Sequence, residues 1–180
     1  HGGMGTVLEG WDKAIGRPVA LKIMRGEGDV PPELRERFLH EAEVTGRLEH
    51  PNIVPVHDLG QVPDPQSGAP QAFFCMKLIE GKDLSSIVQS LAEADEEARK
   101  TFIRTRLLQI FQDICMGIAF AHDRGVIHRD LKPGNVMIGR YGETLIVDWG
   151  LAKVKGQGTA GDRALRAGSA NLPRHPESTQ

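Results

Sequence analysis

The sequence predicts an α+β fold in two lobes, the first an antiparallel sheet with one helix and the second mainly helical. Short segments rich in β-branched and apolar residues dominate the chain up to about residue 80. Beyond that point helical periodicity dominates, with one small hairpin inserted. The chain has 180 residues, of which 39% are hydrophobic, so it is long enough to bury a core. We therefore expect the two lobes to be joined near residue 80.

The first predicted element is a β-hairpin made of residues 6 to 12 and 17 to 24, with the turn-like KAIG between them. In its second strand, period-two alternation puts Ala20 and Lys22 on the same face. A lysine that faces inward needs a counter-charge, because an unpaired buried charge is costly.

A helix opened by proline is predicted over residues 31 to 50. The residues of its packed stripe are Leu34, Phe38, Glu41, Thr45 and Leu48. Glu41 can therefore supply the counter-charge for Lys22. Two further strands are predicted over residues 51 to 60 and 71 to 79, linked by a loop rich in Pro, Gly and Ser.

The second lobe begins with a mostly helical stretch that is interrupted near residues 93 to 100, where we expect the charges to form a solvated face. A strongly apolar helix follows and ends at Gly125. A second hairpin is predicted over residues 135 to 139 and 144 to 148. From Val154 onward Gly, Ala, Arg and Ser dominate without an aromatic residue, which predicts a mobile loop.

The overall composition excludes several classes of function. The net charge is -2, so nothing in the charge balance indicates a nucleic-acid partner. The two cysteines, Cys75 and Cys115, lie in apolar surroundings, which argues against a disulfide framework or a zinc site. No apolar stretch approaches the roughly 20 residues of a membrane span. We expect a cytoplasmic location, although a parent protein could be membrane-anchored with this domain in the cytosol.

Two short sequence strings contain the candidate catalytic and metal-binding side chains. In HRDLKPGN, Asp130 can orient a substrate hydroxyl and accept its proton, Lys132 can neutralise a γ-phosphate, and Asn135 can ligate magnesium. The plain alternative is a polar turn around a core histidine. In TLIVDWGLAK, Asp148 ends a predicted buried strand thirteen positions after Asn135. Turn statistics alone would explain this acid, but the hairpin would also return it beside Asn135, where both can share one magnesium site.

These strings, together with GGMGTV, VALK and HEAEVTGRLEHPNIV, resemble the eukaryotic-type protein kinase family and are most similar to its bacterial serine/threonine members. The resemblance runs from His1 to about Lys153, in the order of the family. It implies an incomplete two-lobed protein-kinase-like fold, with ATP and Mg²⁺ bound between the lobes. It also implies transfer of the γ-phosphate to a Ser or Thr hydroxyl of a protein substrate, with autophosphorylation in trans as one outcome.

The resemblance assigns roles residue by residue. The catalytic residues are Asp130, Lys132, Asn135, Lys22 and Glu41, and the metal ligands are Asn135 and Asp148. The residues placed around ATP are Gly2, Gly3, Gly5, Val7, Ala20, Lys22, Met76, Lys77, Ile79, Met137 and Asp148. Within that set, Met76 resembles the gatekeeper, the backbone of Lys77 and Ile79 would bond the adenine edge, and Met137 would close the adenine pocket from below.

Trp149 stands where most protein kinases have phenylalanine, and we expect it to pack inward in a pocket enlarged by the small Thr45. Arg129, beside Asp130, resembles the arginine associated with control by activation-loop phosphorylation. The candidate phosphorylation sites are Thr159, Ser169, Ser178 and Thr179.

The family comparison divides the chain into a first lobe and hinge over residues 1 to 80, part of the second lobe over 81 to 153, and a partial activation loop over 154 to 180. The family's remaining lower-lobe helices are not among the 180 residues, so we expect the chain by itself to be inactive. Two other readings stay open: a pseudokinase that binds nucleotide as a scaffold, and a small-molecule phosphotransferase. The latter class usually lacks the arginine and lysine of HRDLK.

Overall fold

The computed structural model describes residues 5–24, 31–64 and 68–155, and these form the predicted two-lobed α+β architecture. The first lobe is built on a four-stranded antiparallel sheet of strand order β1-β2-β4-β3. Its strands are β1 (Gly5–Asp12), β2 (Arg17–Met24), β3 (Val56–Pro63) and β4 (Pro70–Lys77). The predicted first hairpin is confirmed.

One helix, α1 (Pro32–Gly46), packs on this sheet. Prolines open it because their fixed φ suits the first helical turn and their missing N–H has no partner there in any case. Phe38 is fully buried and lies with its ring centroid 5.2 Å from that of Phe74 on β4. Glu41 and Thr45 are buried on the same face, as the stripe predicts.

The second lobe contains three helices within the described residues, α2 (Leu84–Ala92), α3 (Glu96–Thr101) and α4 (Arg104–Asp123). The carboxylates of Asp83 and Asp95 cap α2 and α3, so the predicted interruption is the junction between two short helices. Gly125, at φ +73°, ends the α4 region in the left-handed conformation that glycine adopts at little cost.

Five short strands complete the described part of this lobe. They are β5 (Gly81–Asp83), β6 (Val126–Ile127), β7 (Val136–Gly139), β8 (Thr144–Ile146) and β9 (Lys153–Val154). The predicted second hairpin is β7 paired with β8, and β5 adds a third strand beside β7. None of the helices in the described ranges combines the length and apolar composition needed to cross a membrane.

A core that draws on both lobes joins them. Val44 and Leu48, from α1 and the residues just after it, pack with Ile146, Trp149 and Ala121 of the second lobe in one buried cluster. Side chains from α1 therefore share a core with the end of β8, which couples the position of this helix to that of Asp148 and Trp149.

The structure corrects several predicted boundaries: the strand predicted over residues 71 to 79 ends at Lys77, and the hairpin strand predicted to residue 148 ends at Ile146. Residues 51 to 55 do not form the beginning of the predicted third strand, because their backbone bonds to β8 instead: Val54 donates to the Ile146 carbonyl oxygen at 3.1 Å. The helix predicted to residue 50 ends at Gly46. The loop predicted from Val154 onward is also wrong at its first residue, because Val154 pairs with Val126 in a two-stranded ladder. Residues 156 to 180 lie outside the described residues.

Candidate active site

Lys22 on β2 forms an ion pair with Glu41 on α1, and the Nζ to Oε1 distance is 2.5 Å. Their side chains are only 14% and 4% exposed. Burial raises the pKa of Glu41, and the nearby Lys22 ammonium opposes that effect. The pair predicted from strand alternation and helix periodicity is thus present, and each side chain holds the other in place.

The HRDLKPGN string folds into a compact loop held by its own side chains. The Asp130 carboxylate accepts hydrogen bonds from Lys132 Nζ at 2.7 Å and from Asn135 Nδ2 at 3.1 Å. The Asn135 amide also donates to the Asp130 carbonyl oxygen at 2.8 Å. The hydrogen bond from Lys132 lowers the pKa of Asp130, so this carboxylate is ionised at neutral pH.

His128 supports this loop from the core. Its Nδ1 accepts from the Asp130 backbone N–H at 3.3 Å, and its Nε2 donates to the Val147 carbonyl oxygen at 3.1 Å. Burial lowers the pKa of His128, which agrees with the neutral tautomer that this bonding pattern requires. A single ring therefore connects the backbone of Asp130 with the residue before Asp148.

Asp148 follows β8 and is brought to the same place. The Val147 backbone N–H donates to the Asn135 carbonyl oxygen at 2.9 Å, so the hairpin returns beside Asn135 as expected. The Asp148 carboxylate is 40% exposed, and its Oδ1 lies 4.0 Å from Lys22 Nζ. Asp148 has φ +62°, a left-handed backbone conformation that is uncommon outside glycine. Lys22 is thus shared between Glu41 and Asp148.

The side chains present suit a magnesium ion that is completed by other ligands. The Asn135 side-chain nitrogen is engaged with Asp130, which leaves the side-chain oxygen of Asn135 as its available metal ligand. Within the described residues there is no group of three or more His, Cys, Asp or Glu side chains that could hold a metal by itself. One carboxylate and one amide oxygen, supplemented by phosphates and water, is how proteins commonly hold Mg²⁺.

Trp149 is fully buried, and its ring centroid lies 4.6 Å from that of His128. It packs in the core shared by the two lobes, together with Val44 and Leu48. Its Nε1 has no hydrogen-bond partner among the described residues. The predicted enlargement of the pocket by Thr45 stays a prediction. The Thr45 hydroxyl donates to the Glu41 carbonyl oxygen at 2.7 Å.

The predicted adenine-binding residues come from both lobes. Ala20 on β2 is buried and lies opposite Met76 on β4. Val7 on β1 lies opposite Lys22 on β2. Lys77 ends β4 and Ile79 follows it before β5. Met137 is in the second lobe, on β7, opposite Leu145.

Of the glycines predicted to cover the phosphates, Gly5 lies within the described residues. Gly5 begins β1, and a Cβ there would lie 2.9 Å from the Ile23 carbonyl oxygen, so the close pairing of the strands requires glycine. Gly2 and Gly3 lie outside the described residues. The same holds for the four candidate phosphorylation sites, Thr159, Ser169, Ser178 and Thr179.

Two contacts were missed by the sequence analysis. His40 Nε2 donates to the Ala152 carbonyl oxygen at 3.3 Å, and Arg129 Nε donates to the Leu151 carbonyl oxygen at 2.6 Å. Both acceptors are backbone atoms far along the chain, so no residue pattern marks them. The position of His40, directly before Glu41, was the only available signal.

The site lies where a strand-rich lobe meets a helical lobe. It brings together a lysine paired with a glutamate, a loop of the catalytic type and a second aspartate. This combination defines the kinase class of phosphotransferase folds. The model of the protein kinase domain family matches residues 1–169. The chain therefore belongs to the protein kinase family.

Bacterial serine/threonine-protein kinases are among the curated relatives of this chain. It is 40% identical over 156 residues to the serine/threonine-protein kinase PknD of Protochlamydia amoebophila, covering 84% of this chain and 15% of that protein. It is also 40% identical over 159 residues to PknD of Chlamydia muridarum, covering 86% of this chain and 16% of the relative. PknD of Chlamydia pneumoniae is 36% identical over 159 residues, with coverage of 87% and 16%. The chain thus spans about one sixth of the length of these relatives.

Proposed function

We propose that the protein is a serine/threonine kinase that transfers the γ-phosphate of ATP to a Ser or Thr hydroxyl of a protein. The observation that carries this proposal is the shared position of Lys22, 2.5 Å from Glu41 and 4.0 Å from Asp148. A lysine held by a buried glutamate beside an exposed aspartate is suited to bind phosphates next to a metal ligand. The three relatives described above are named as serine/threonine-protein kinases, which supports the same activity.

In the proposed reaction, the substrate hydroxyl lies against the Asp130 carboxylate. The hydroxyl oxygen forms a bond to the γ-phosphorus, the bond from that phosphorus to the β,γ-bridging oxygen breaks, and ADP leaves. The hydroxyl proton passes to Asp130, which its hydrogen bond to Lys132 keeps ionised beforehand. Lys132 also offsets the negative charge on the transferred group.

Asn135 and Asp148 would hold Mg²⁺, which neutralises phosphate charge when bound. Lys22 would bind the α- and β-phosphates. The backbone of Lys77 and Ile79 would bond the adenine edge, and Val7, Ala20, Met76 and Met137 would enclose the ring. Gly2, Gly3 and Gly5 would cover the phosphates.

We further propose that residues 1 to 80 form the first lobe and hinge, that 81 to 153 form part of the second lobe, and that 154 to 180 belong to the activation loop. The end of β4 at Lys77 and the start of β5 at Gly81 support the first boundary. ATP as phosphate donor fits a cytoplasmic location. Autophosphorylation in trans is proposed through the same site.

The test compares full-length wild-type protein with Asp130→Asn. We expect the variant to lose phosphate transfer by about 10²-fold or more, because the carboxylate that receives the proton is gone. ATP affinity, measured by calorimetry, should stay within about twofold, since Asp130 is not among the residues proposed to contact ATP. Asp123→Asn, at the exposed end of α4, is the matched control. Equal, measurable phosphate transfer by wild type and Asp130→Asn would exclude the role of Asp130, whereas a wild-type protein that binds ATP without transferring phosphate would favour a pseudokinase.

A further inference from the structure

The turn between β7 and β8, residues 139 to 143, contacts the segment that joins the two lobes. Glu143 Oε1 lies 3.2 Å from Nζ of Lys77, the last residue of β4. On the same turn, the Arg140 backbone N–H donates to the Glu80 carbonyl oxygen at 2.7 Å. The turn therefore bonds to both ends of the connection between β4 and β5.

The second lobe holds this turn rigidly. Arg106, near the start of α4, donates from Nη2 to the Gly142 carbonyl oxygen. The Thr144 hydroxyl donates to Asp113 Oδ2 at 2.8 Å, which fixes the first residue after the turn to the middle of α4. The turn is thus an extension of the helical lobe, and a bond from it to Lys77 links one lobe to the other.

Two glycines make this close approach sterically feasible. A Cβ on Gly139 would overlap the carboxylate of Glu143, so the side chain of Glu143 can lie over the turn only because residue 139 has none. A Cβ on Gly81 would overlap the Ile138 carbonyl oxygen, and Gly81 pairs with Gly139 across the β5–β7 ladder. A side chain at position 81 would push β7 and the turn after it away from the connection between the lobes, whereas one at position 139 would displace the Glu143 carboxylate.

The charges favour the contact at neutral pH. Its own backbone N–H and the Lys77 ammonium lower the pKa of Glu143, so this side chain is ionised. The Lys77 and Glu143 side chains are 41% and 29% exposed, so solvent weakens the pair without abolishing it. The Lys77 backbone is fixed as well, because its N–H donates to the Pro55 carbonyl oxygen at 3.1 Å.

We propose that Glu143 is a positioning residue for nucleotide binding: through its ion pair with Lys77 it ties the adenine-binding backbone at the end of β4 to the second lobe. The inference rests on the proposed function, in which the backbone of Lys77 bonds the adenine edge. A backbone held in its bound position loses less conformational freedom when the ligand arrives, so the pair raises affinity for ATP.

The test is a double-mutant cycle in the full-length protein with Glu143→Gln, Lys77→Met and the combined variant. Affinity for a non-hydrolysable ATP analogue with Mg²⁺ is measured by calorimetry, and KM for ATP and kcat are measured separately. We expect each single variant to weaken affinity and to raise KM about threefold, the effect of a partly exposed ion pair. The combined variant should lose no more affinity than either single variant, and kcat of Glu143→Gln should stay at the wild-type value.

The matched control is Glu97→Gln, which removes the same charge from the exposed pair of Glu97 with Lys100, at 3.1 Å. It should leave the affinity for the analogue unchanged. If Glu143→Gln behaves like Glu97→Gln, or lowers only the melting temperature, or if the losses in the cycle simply add, the inference is overturned. If the wild-type protein does not bind the analogue, the proposed function fails first, and that outcome is distinct from a normal wild-type affinity with an unaffected Glu143→Gln.

Discussion

At the scale of single residues, the Lys22 to Glu41 pair combines the greatest burial with the shortest charge separation in the site. Glu41 Oε2 has no hydrogen-bond partner among the described residues, so Lys22 alone compensates this buried carboxylate. Removing the lysine from such a pair leaves the buried glutamate charge uncompensated. The resulting loss of stability is larger than the net stability that the intact pair contributed.

We therefore predict that Lys22→Met lowers the free energy of unfolding by about 3 kcal/mol as well as abolishing phosphate transfer. The double variant Lys22→Met with Glu41→Gln should regain part of that stability while staying inactive, because the buried charge is removed. Denaturant unfolding of both variants measures this. Equal stability of the two would contradict the assignment of Lys22 as the compensating charge.

Trp149 is the residue at which the chain departs from the usual family pattern. Trp149→Phe leaves a small cavity, a cost of about 1 to 2 kcal/mol, but it also removes a buried N–H that has no partner in the described structure, worth a similar amount. We predict a change in stability below about 1 kcal/mol and activity within about threefold of wild type.

The comparison for Trp149 is Trp149→Ala, which should cost about 3 to 5 kcal/mol because the indole is fully buried in the core shared by the lobes. Thermal unfolding and phosphate-transfer assays report the two properties. Complete loss of activity in a stable Trp149→Phe protein would mean that the indole contributes something beyond packing.

Most site residues could be predicted because they lie in contiguous strings whose chemistry is local. The loop around Asp130 is held by Lys132 and Asn135, two and five positions away. The contacts of His40 and Arg129 could not be predicted, since a side chain that bonds a distant carbonyl oxygen leaves no pattern in the sequence. The same limit applies to the ion pair of Lys77 with Glu143, 66 positions apart.

At the scale of elements, α1 is attached to the segment after Asp148 at two adjacent positions. Glu41 forms an ion pair with Lys22, whose Nζ lies 4.0 Å from Asp148 Oδ1. His40 donates a hydrogen bond directly to the Ala152 carbonyl oxygen. The helix and the segment that carries Asp148 should therefore move together.

We predict that His40→Ala loosens this attachment, whereas His40→Gln, which keeps a side-chain N–H donor, retains much of it. One lost hydrogen bond of about 1 kcal/mol should speed amide hydrogen exchange in α1 about fivefold and lower kcat by a similar factor. Exchange followed by mass spectrometry measures the first effect. Unchanged exchange in His40→Ala would show that the bond does not restrain the helix.

The third strand shows why element boundaries were less predictable than element types. Residues 51 to 55 have the composition of a strand, yet Ile146 donates to the Asn52 carbonyl oxygen at 2.8 Å and the segment pairs with β8 of the other lobe. Local propensity favours an extended backbone for residues 51 to 55, but the strand with which this segment pairs is set by tertiary contacts.

At the scale of the whole molecule, a loop of the first lobe contacts the second lobe at Gly117, where α4 crosses β8. A Cβ there would lie 2.8 Å from Ile146 Cδ1 and 3.3 Å from Asn52 Cβ, so the helix, the strand and the loop from the first lobe approach closely because residue 117 is glycine. The two-lobed arrangement was predictable from the order of elements, whereas this point of contact depends on the three-dimensional crossing.

We predict that Gly117→Ala lowers the free energy of unfolding by about 1 to 2 kcal/mol. Overpacking should exceed the gain of about 1 kcal/mol that alanine brings within a helix. Gly134→Ala, where a Cβ would meet no atom within 4 Å, is the control. A more stable Gly117→Ala protein would contradict the tight crossing.

The central proposed property of the whole protein is phosphate transfer to Ser or Thr by a site built around Asp130. The most direct measurement is phosphoamino-acid analysis of the full-length protein after incubation with Mg²⁺ and ATP labelled at the γ-position. We expect label on serine or threonine in the wild type and none in Asp130→Asn. A wild-type protein that binds ATP but leaves protein unlabelled, or that labels tyrosine, would contradict it.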